Sequence, residues 1–195
     1  MRLVFSGISA ILILFLFNLA FGANSSAPKY SAVVVDANTR AILFSENEGK
    51  RLHPAGLTKL MTLYIAFQAI EDGEIGLDDK VIISNHAAAE VPVKLGLRGG
   101  QKARLRYLIR AAGVEGSNDA ATAIAEHIEG SEAAFARRMN RTAQRLGMDR
   151  STFRNAHGLT ESGHLTTTND MAILFKALHD EFPDYFNLFR RNNCK

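Results

Sequence analysis

An α+β fold is predicted, with an N-terminal hairpin followed by a helical lobe, and three observations predict it. Two short β-rich runs lie close together, a series of helix-length segments follows, and no repeat or low-complexity tract interrupts the series. The bulk composition agrees. With 195 residues, 47% hydrophobic and 22% charged, the chain is of globular type rather than disordered or fibrous. The formal net charge of +3 is spread among acidic residues instead of gathered in blocks, so nucleic acid is not an expected partner. Cys194 is the single cysteine, which excludes an intrachain disulfide and any paired-cysteine zinc site.

Met1 and Arg2 precede an almost unbroken apolar run from Leu3 to Phe21, with the small residues Ala20 and Gly22 at its end. Residues 1–23 are therefore expected to be a signal peptide, which places the rest in the periplasm or cell envelope with membrane contact only through the export signal. An uncleaved anchor is the alternative, because a run of this length can just span a bilayer. Residues 24–29 are small and polar and are expected to form a linker, leaving 30–195 as the domain.

Ser31–Val35 and Ala41–Ser45 are the two β-rich runs, and Asp36 and Asn38 between them suit a hairpin turn. Two strands alone are marginal in water, so this hairpin needs a third strand or a covering helix. Leu57–Glu71 is the strongest helix signal, with Leu57, Leu60, Met61, Tyr64, Ile65 and Ile70 near one stripe and Gly73 placed to end it. Further helices are predicted at Arg104–Ala112, at Asn118–Ile128 before Gly130, and from a Ser131 cap to Leu146 before Gly147. Thr167 with Asp170 resembles a capping box that opens a helix over Met171–Leu178.

Chemistry concentrates at the start of the first long helix, in Pro54-Ala55-Gly56-Leu57-Thr58-Lys59. This segment resembles the Pro-Ala-Ser-Leu-Thr-Lys of the low-molecular-mass penicillin-binding proteins, the D-alanyl-D-alanine carboxypeptidases, with glycine in place of serine. The resemblance extends through Gly116-Ser117-Asn118-Asp119-Ala120, through Leu95-Gly96-Leu97-Arg98, and through Thr166-Thr167-Thr168-Asn169-Asp170-Met171. It implies an incomplete penicillin-binding or serine β-lactamase-like transpeptidase fold in which the C-terminal sheet strands lie beyond residue 195.

By the same resemblance Gly56 stands at the position of the acylated serine, Lys59 is the general base one helical turn on, Gly116 stands where the second motif has its serine, and Asn118 positions substrate and lysine. Serine needs such a base because its hydroxyl is otherwise a weak nucleophile. Thr58 points elsewhere around the helix and Thr62 lies more than a turn beyond, so neither is expected to replace it. Ser117 is expected to cap the helix that follows. The family's third motif, Lys-Thr-Gly, occurs nowhere in the 195 residues. A single Gly56→Ser change is thus expected to restore little activity.

The resemblance implies peptidoglycan stem peptides ending in D-Ala-D-Ala as the ligand class and β-lactams held non-covalently at best. No cofactor is implied. The six histidines lack His-Glu-x-x-His spacing, so no metal site is expected and surface or loop positions are. The expected function is that of a carboxypeptidase homologue of cell-wall metabolism, catalytically defective as written. The alternatives are a non-catalytic envelope protein that binds muropeptides or a partner, and a gene remnant.

Overall fold

The computed structural model describes residues 30–190, so the expected signal peptide (1–23), the linker (24–29) and Cys194 lie outside the described residues. Strands β1 (Ala32–Val35) and β2 (Ile42–Glu46) pair antiparallel, Ala32 opposite Glu46 and Val34 opposite Phe44, with a bulge between Val34 and Val35. The reversal is held by Asp36, whose Oδ1 accepts from the N–H groups of Asn38 and Thr39 and from the Thr39 hydroxyl. A carboxylate bonding its own chain two and three residues on is the device that makes Asp a turn former.

A 3-10 turn over Ala55–Leu57 leads directly into helix α1 (Thr58–Glu71). Met61, Leu63, Ile65, Ala66 and Phe67 are all fully buried, so α1 is covered on every side rather than along the single predicted stripe. Such a helix is the centre of the core. A second sheet, which the sequence did not reveal, pairs β3 (Lys80–Ile82) with β4 (Lys102–Arg104). Three residues per strand are too few to show a period of two. Between them the single-turn helix α2 (Asn85–Ala88) is capped by Ser84, whose Oγ accepts from the N–H of Ala87 at 2.9 Å.

The sheet displaces the next helix from its expected position. Arg104 closes β4, helix α3 runs only over Leu105–Arg110, and Ala111–Glu115 winds as a π-helical turn instead of continuing the predicted α-helix to Ala112. Helix α4 (Asn118–Glu129) and helix α5 (Glu132–Leu146) agree with prediction, and Ser131 caps α5 by accepting from the N–H of Ala134 at 3.3 Å. Helix α6 (Thr168–Glu181) is longer than predicted. Its Thr167 cap accepts from the N–H of Asp170 at 3.1 Å. The Asp170 carboxylate turns away to Arg150 N–H and the Ser151 hydroxyl, so the box is only half formed.

Helix α6 packs against both β1 and α1 and so backs the first strand of the hairpin, while every residue of β2 stays exposed. The short helix α7 (Pro183–Phe186) was not predicted; its Tyr185 stacks on Phe67 with ring centroids 4.6 Å apart. Phe67, Phe135, Phe153, Leu108, Ile124 and Met139 make the fully buried centre, to which α1, α3, α4 and α5 all contribute. Among the described residues no helix is long and apolar enough to cross a membrane.

Candidate active site

Lys59 is the second residue of α1 and its side chain is buried among groups that accept its protons. Nζ donates to Asn118 Oδ1 at 2.7 Å and to the His157 carbonyl at 2.7 Å. Burial lowers its pKa to about 8, against the pull of the Glu90 charge, which favours the ammonium form. About a tenth of the molecules then carry a neutral amine at pH 7. Asn118 begins α4 and is itself fixed, its Nδ2 donating to Val91 O at 3.1 Å and its N–H to Val93 O at 2.8 Å.

Asp119, a residue that the motif reading passed over, secures the facing loop. Its carboxylate accepts from the N–H groups of Leu95, Gly96 and Leu97 at 2.9, 2.8 and 3.0 Å. A fourth bond comes from the N–H of Ala120 at 2.9 Å, at the helix N-terminus where negative charge is favoured. The adjoining Asn118-Asp119 pair was the available signal: one residue faces Lys59 and the next holds the loop.

A cleft of about 550 Å³ is lined by Gly56, Lys59, Gly116, Asn118 and His157, so all four expected positions meet in one place. A Cβ at Gly56 would have nothing within 4 Å. The turn thus has room for a side chain that glycine does not supply. Gly116 is also open but has φ 69, a left-handed conformation that costs an L-residue roughly 1–2 kcal/mol. Ser117 corrects an expectation: it occupies the N-cap position, yet its buried side chain accepts no helix N–H.

Thr58 and Thr62 serve the cleft wall. Thr58 Oγ1 lies 2.9 Å from His164 Nε2, and the Thr62 hydroxyl donates to Ala156 O at 2.6 Å. Both are fully buried and neither lines the cleft. The loop bearing His157 is pressed against the turn over Ala55–Leu57 at Gly158, whose φ is +94 and whose missing Cβ would sit 1.9 Å from Ala55 O. Only glycine allows this approach.

His157 and His164 are loop residues, as expected, but they are buried rather than exposed. Burial, with the Lys59 charge nearby, lowers the His157 pKa to about 4. Its Nδ1 accepts the Leu159 N–H at 3.0 Å, so the proton of the neutral ring sits on Nε2. That nitrogen lies 3.4 Å from Oε1 of both Glu90 and Glu132. Among the described residues, one group brings metal-ligating atoms together, namely His86, Glu90 and Glu132, with ligand atoms all within 4.8 Å of one another.

The family model for D-alanyl-D-alanine carboxypeptidases matches residues 23–195. The chain belongs to that family. Among D-alanyl-D-alanine carboxypeptidases, DacF of Bacillus subtilis is 38% identical over 76% of this chain and 38% of its own length. DacD of Escherichia coli is 32% identical over 90% of this chain and 50% of its own length. The crystal structure of DacD from Francisella tularensis superposes with a TM-score of 0.80 at 35% identity, covering 82% of this chain and 38% of that one. Penicillin-Binding Protein D2 from Listeria monocytogenes in its ampicillin-bound form gives 0.73 at 27% identity, covering 83% and 65%. The chain thus has the penicillin-binding protein fold over its matched part and spans half or less of the length of these curated carboxypeptidases.

Proposed function

We propose that this chain presents the substrate cleft of a D-Ala-D-Ala carboxypeptidase of peptidoglycan metabolism in which the acylation step is disabled at Gly56. In the intact reaction a serine oxygen attacks the penultimate D-Ala carbonyl, its proton passes to the lysine amine, D-alanine leaves, and water cleaves the ester. Here Lys59 and Asn118 are paired beside an absent nucleophile, while the second serine and a Lys-Thr-Gly are lacking from the 195 residues. Lys59, depressed to about pKa 8, is poised as a base, and Asn118 and His157 hold it at the cleft. Position 56 faces open space with a hydrogen.

The observation that carries the reading is this preserved Lys59–Asn118 pairing beside an empty nucleophile position. It favours binding of stem peptides without turnover, in a non-catalytic envelope role, and it leaves β-lactams as non-covalent ligands. Delivery to the periplasm or envelope would rest on the apolar run Leu3–Phe21. The test uses fluorescent penicillin and intact-mass spectrometry on the purified chain. No added mass is expected, while an NMR titration with a peptide ending in D-Ala-D-Ala should shift resonances of Lys59 and Asn118. A β-lactam adduct on any hydroxyl would overturn the reading, and an unmoved spectrum would remove the binding role.

A further inference from the structure

Behind the cleft wall, His86 of α2, Glu90 just after it and Glu132 at the start of α5 converge. We propose that these three side chains form a binding site for a divalent transition cation of the zinc class. The first support is tautomeric. His86 Nδ1 donates to Glu126 Oε1 at 3.0 Å, and Nε2 faces Glu132 Oε2 at 3.8 Å, where loss of its proton to a bound cation would expose a lone pair. A carboxylate on one nitrogen and a metal on the other is how a ligating imidazole is normally oriented.

The second support is the close pairing of two carboxylates. Glu90 and Glu132 have side chains only 10% and 14% exposed and share the neutral His157 ring between them. Two carboxylates facing each other in a half-dry wall repel, and a dication between them removes that cost.

The third support is His157, 7% exposed, which aims Nε2 at Oε1 of both carboxylates. With Nδ1 already accepting the Leu159 N–H, His157 is a donor that orients the two carboxylates and not itself a ligand. Around a tetrahedral ion with bonds of about 2.0–2.2 Å, ligand atoms stand about 3.3–3.6 Å apart. The 3.8 Å separation of His86 from Glu132 is close to this, and the 58%-exposed His86 side chain is free to close the remainder. One imidazole with two carboxylates suits zinc or a similar cation better than calcium or magnesium, which favour oxygen donors alone.

Occupancy would reach the cleft, because Glu132 Oε1 also accepts the Ala156 N–H at 2.9 Å and the adjoining His157 carbonyl holds Lys59. Calorimetric titration of the full chain with Zn2+, in parallel with thermal melts, tests the site. One equivalent should bind and raise the Tm. Glu126→Gln, which keeps the ring in place but weakens its orientation, should loosen binding about 10–100-fold. His86→Ala alters a mostly exposed residue, so the fold should survive, and it should abolish the high-affinity equivalent. The proposal is overturned if the wild-type chain takes up no Zn2+, or if His86→Ala binds it with unchanged affinity and stoichiometry.

Discussion

A side chain at position 56 would enter the cleft without displacing anything, since the backbone there is not left-handed and no atom lies within 4 Å of the absent Cβ. Gly56→Ala should therefore stabilise the chain by about 0.4–1 kcal/mol, chiefly by restricting the unfolded state. Urea denaturation measures this. A loss of stability would mean that the added methyl aggravates the strain already present at Ala55, whose φ is 48. Gly56 and Lys59 could be read from the sequence because they belong to one contiguous segment. The carbonyl that completes the Lys59 environment comes from His157, 98 positions away, and no local pattern joins the two. Likewise the grouping of His86, Glu90 and Glu132 exists only once α2 and α5 are folded against the wall.

At the scale of the element, helix boundaries followed their caps where the caps were conventional. Ser131 and Thr167 each accept a helix N–H, and both helices begin where they stand. Ser117 looked the same in sequence but is displaced from that role by the π-helical turn before it, which makes its N–H donate to Ala111 O. Asp119, next but one, instead carries the entry to α4 and the loop opposite. Asp119→Ala would leave the N–H groups of Leu95, Gly96 and Leu97 without their acceptor. The cost should be about 3 kcal/mol, given charged hydrogen bonds of about 1.5–3 kcal/mol each and partial rescue by water. Chemical denaturation of the variant checks this. A change below about 1 kcal/mol would show that the loop finds other partners.

For the whole molecule, the α+β class and the central helix were legible, because a long apolar segment after a hairpin leaves few arrangements. The second sheet was not, since its strands are held by tertiary pairing of residues that lack a β pattern. Global stability should also carry a pH signature from His164. Burial lowers its pKa to about 4, with the charges of His53 and Arg154 adding to the effect and Glu161 opposing it. Its Nδ1 accepts the Arg154 N–H at 3.2 Å, so Nε2 carries the proton and faces Thr58 Oγ1. Between about pH 6.5 and 4 the unfolded chain binds this proton and the folded chain does not. Stability should fall as pH drops through that window and gain nothing from His164 above it. Thermal melts at steps of pH, with the His164 ring followed by NMR, provide the check; a ring titrating near its ordinary value would contradict it.

The approach of Gly158 to Ala55 has a mechanical consequence. That contact blocks inward movement, and the bonds from Lys59 to the His157 carbonyl and from Thr62 to the Ala156 carbonyl oppose outward movement, so the start of α1 and the strip of chain bearing His157 are coupled in both directions. A peptide that wedges itself into the cavity would have to break those two bonds to swing that side outward, so widening should cost less at the opposite lip, around Val93 and Gly116.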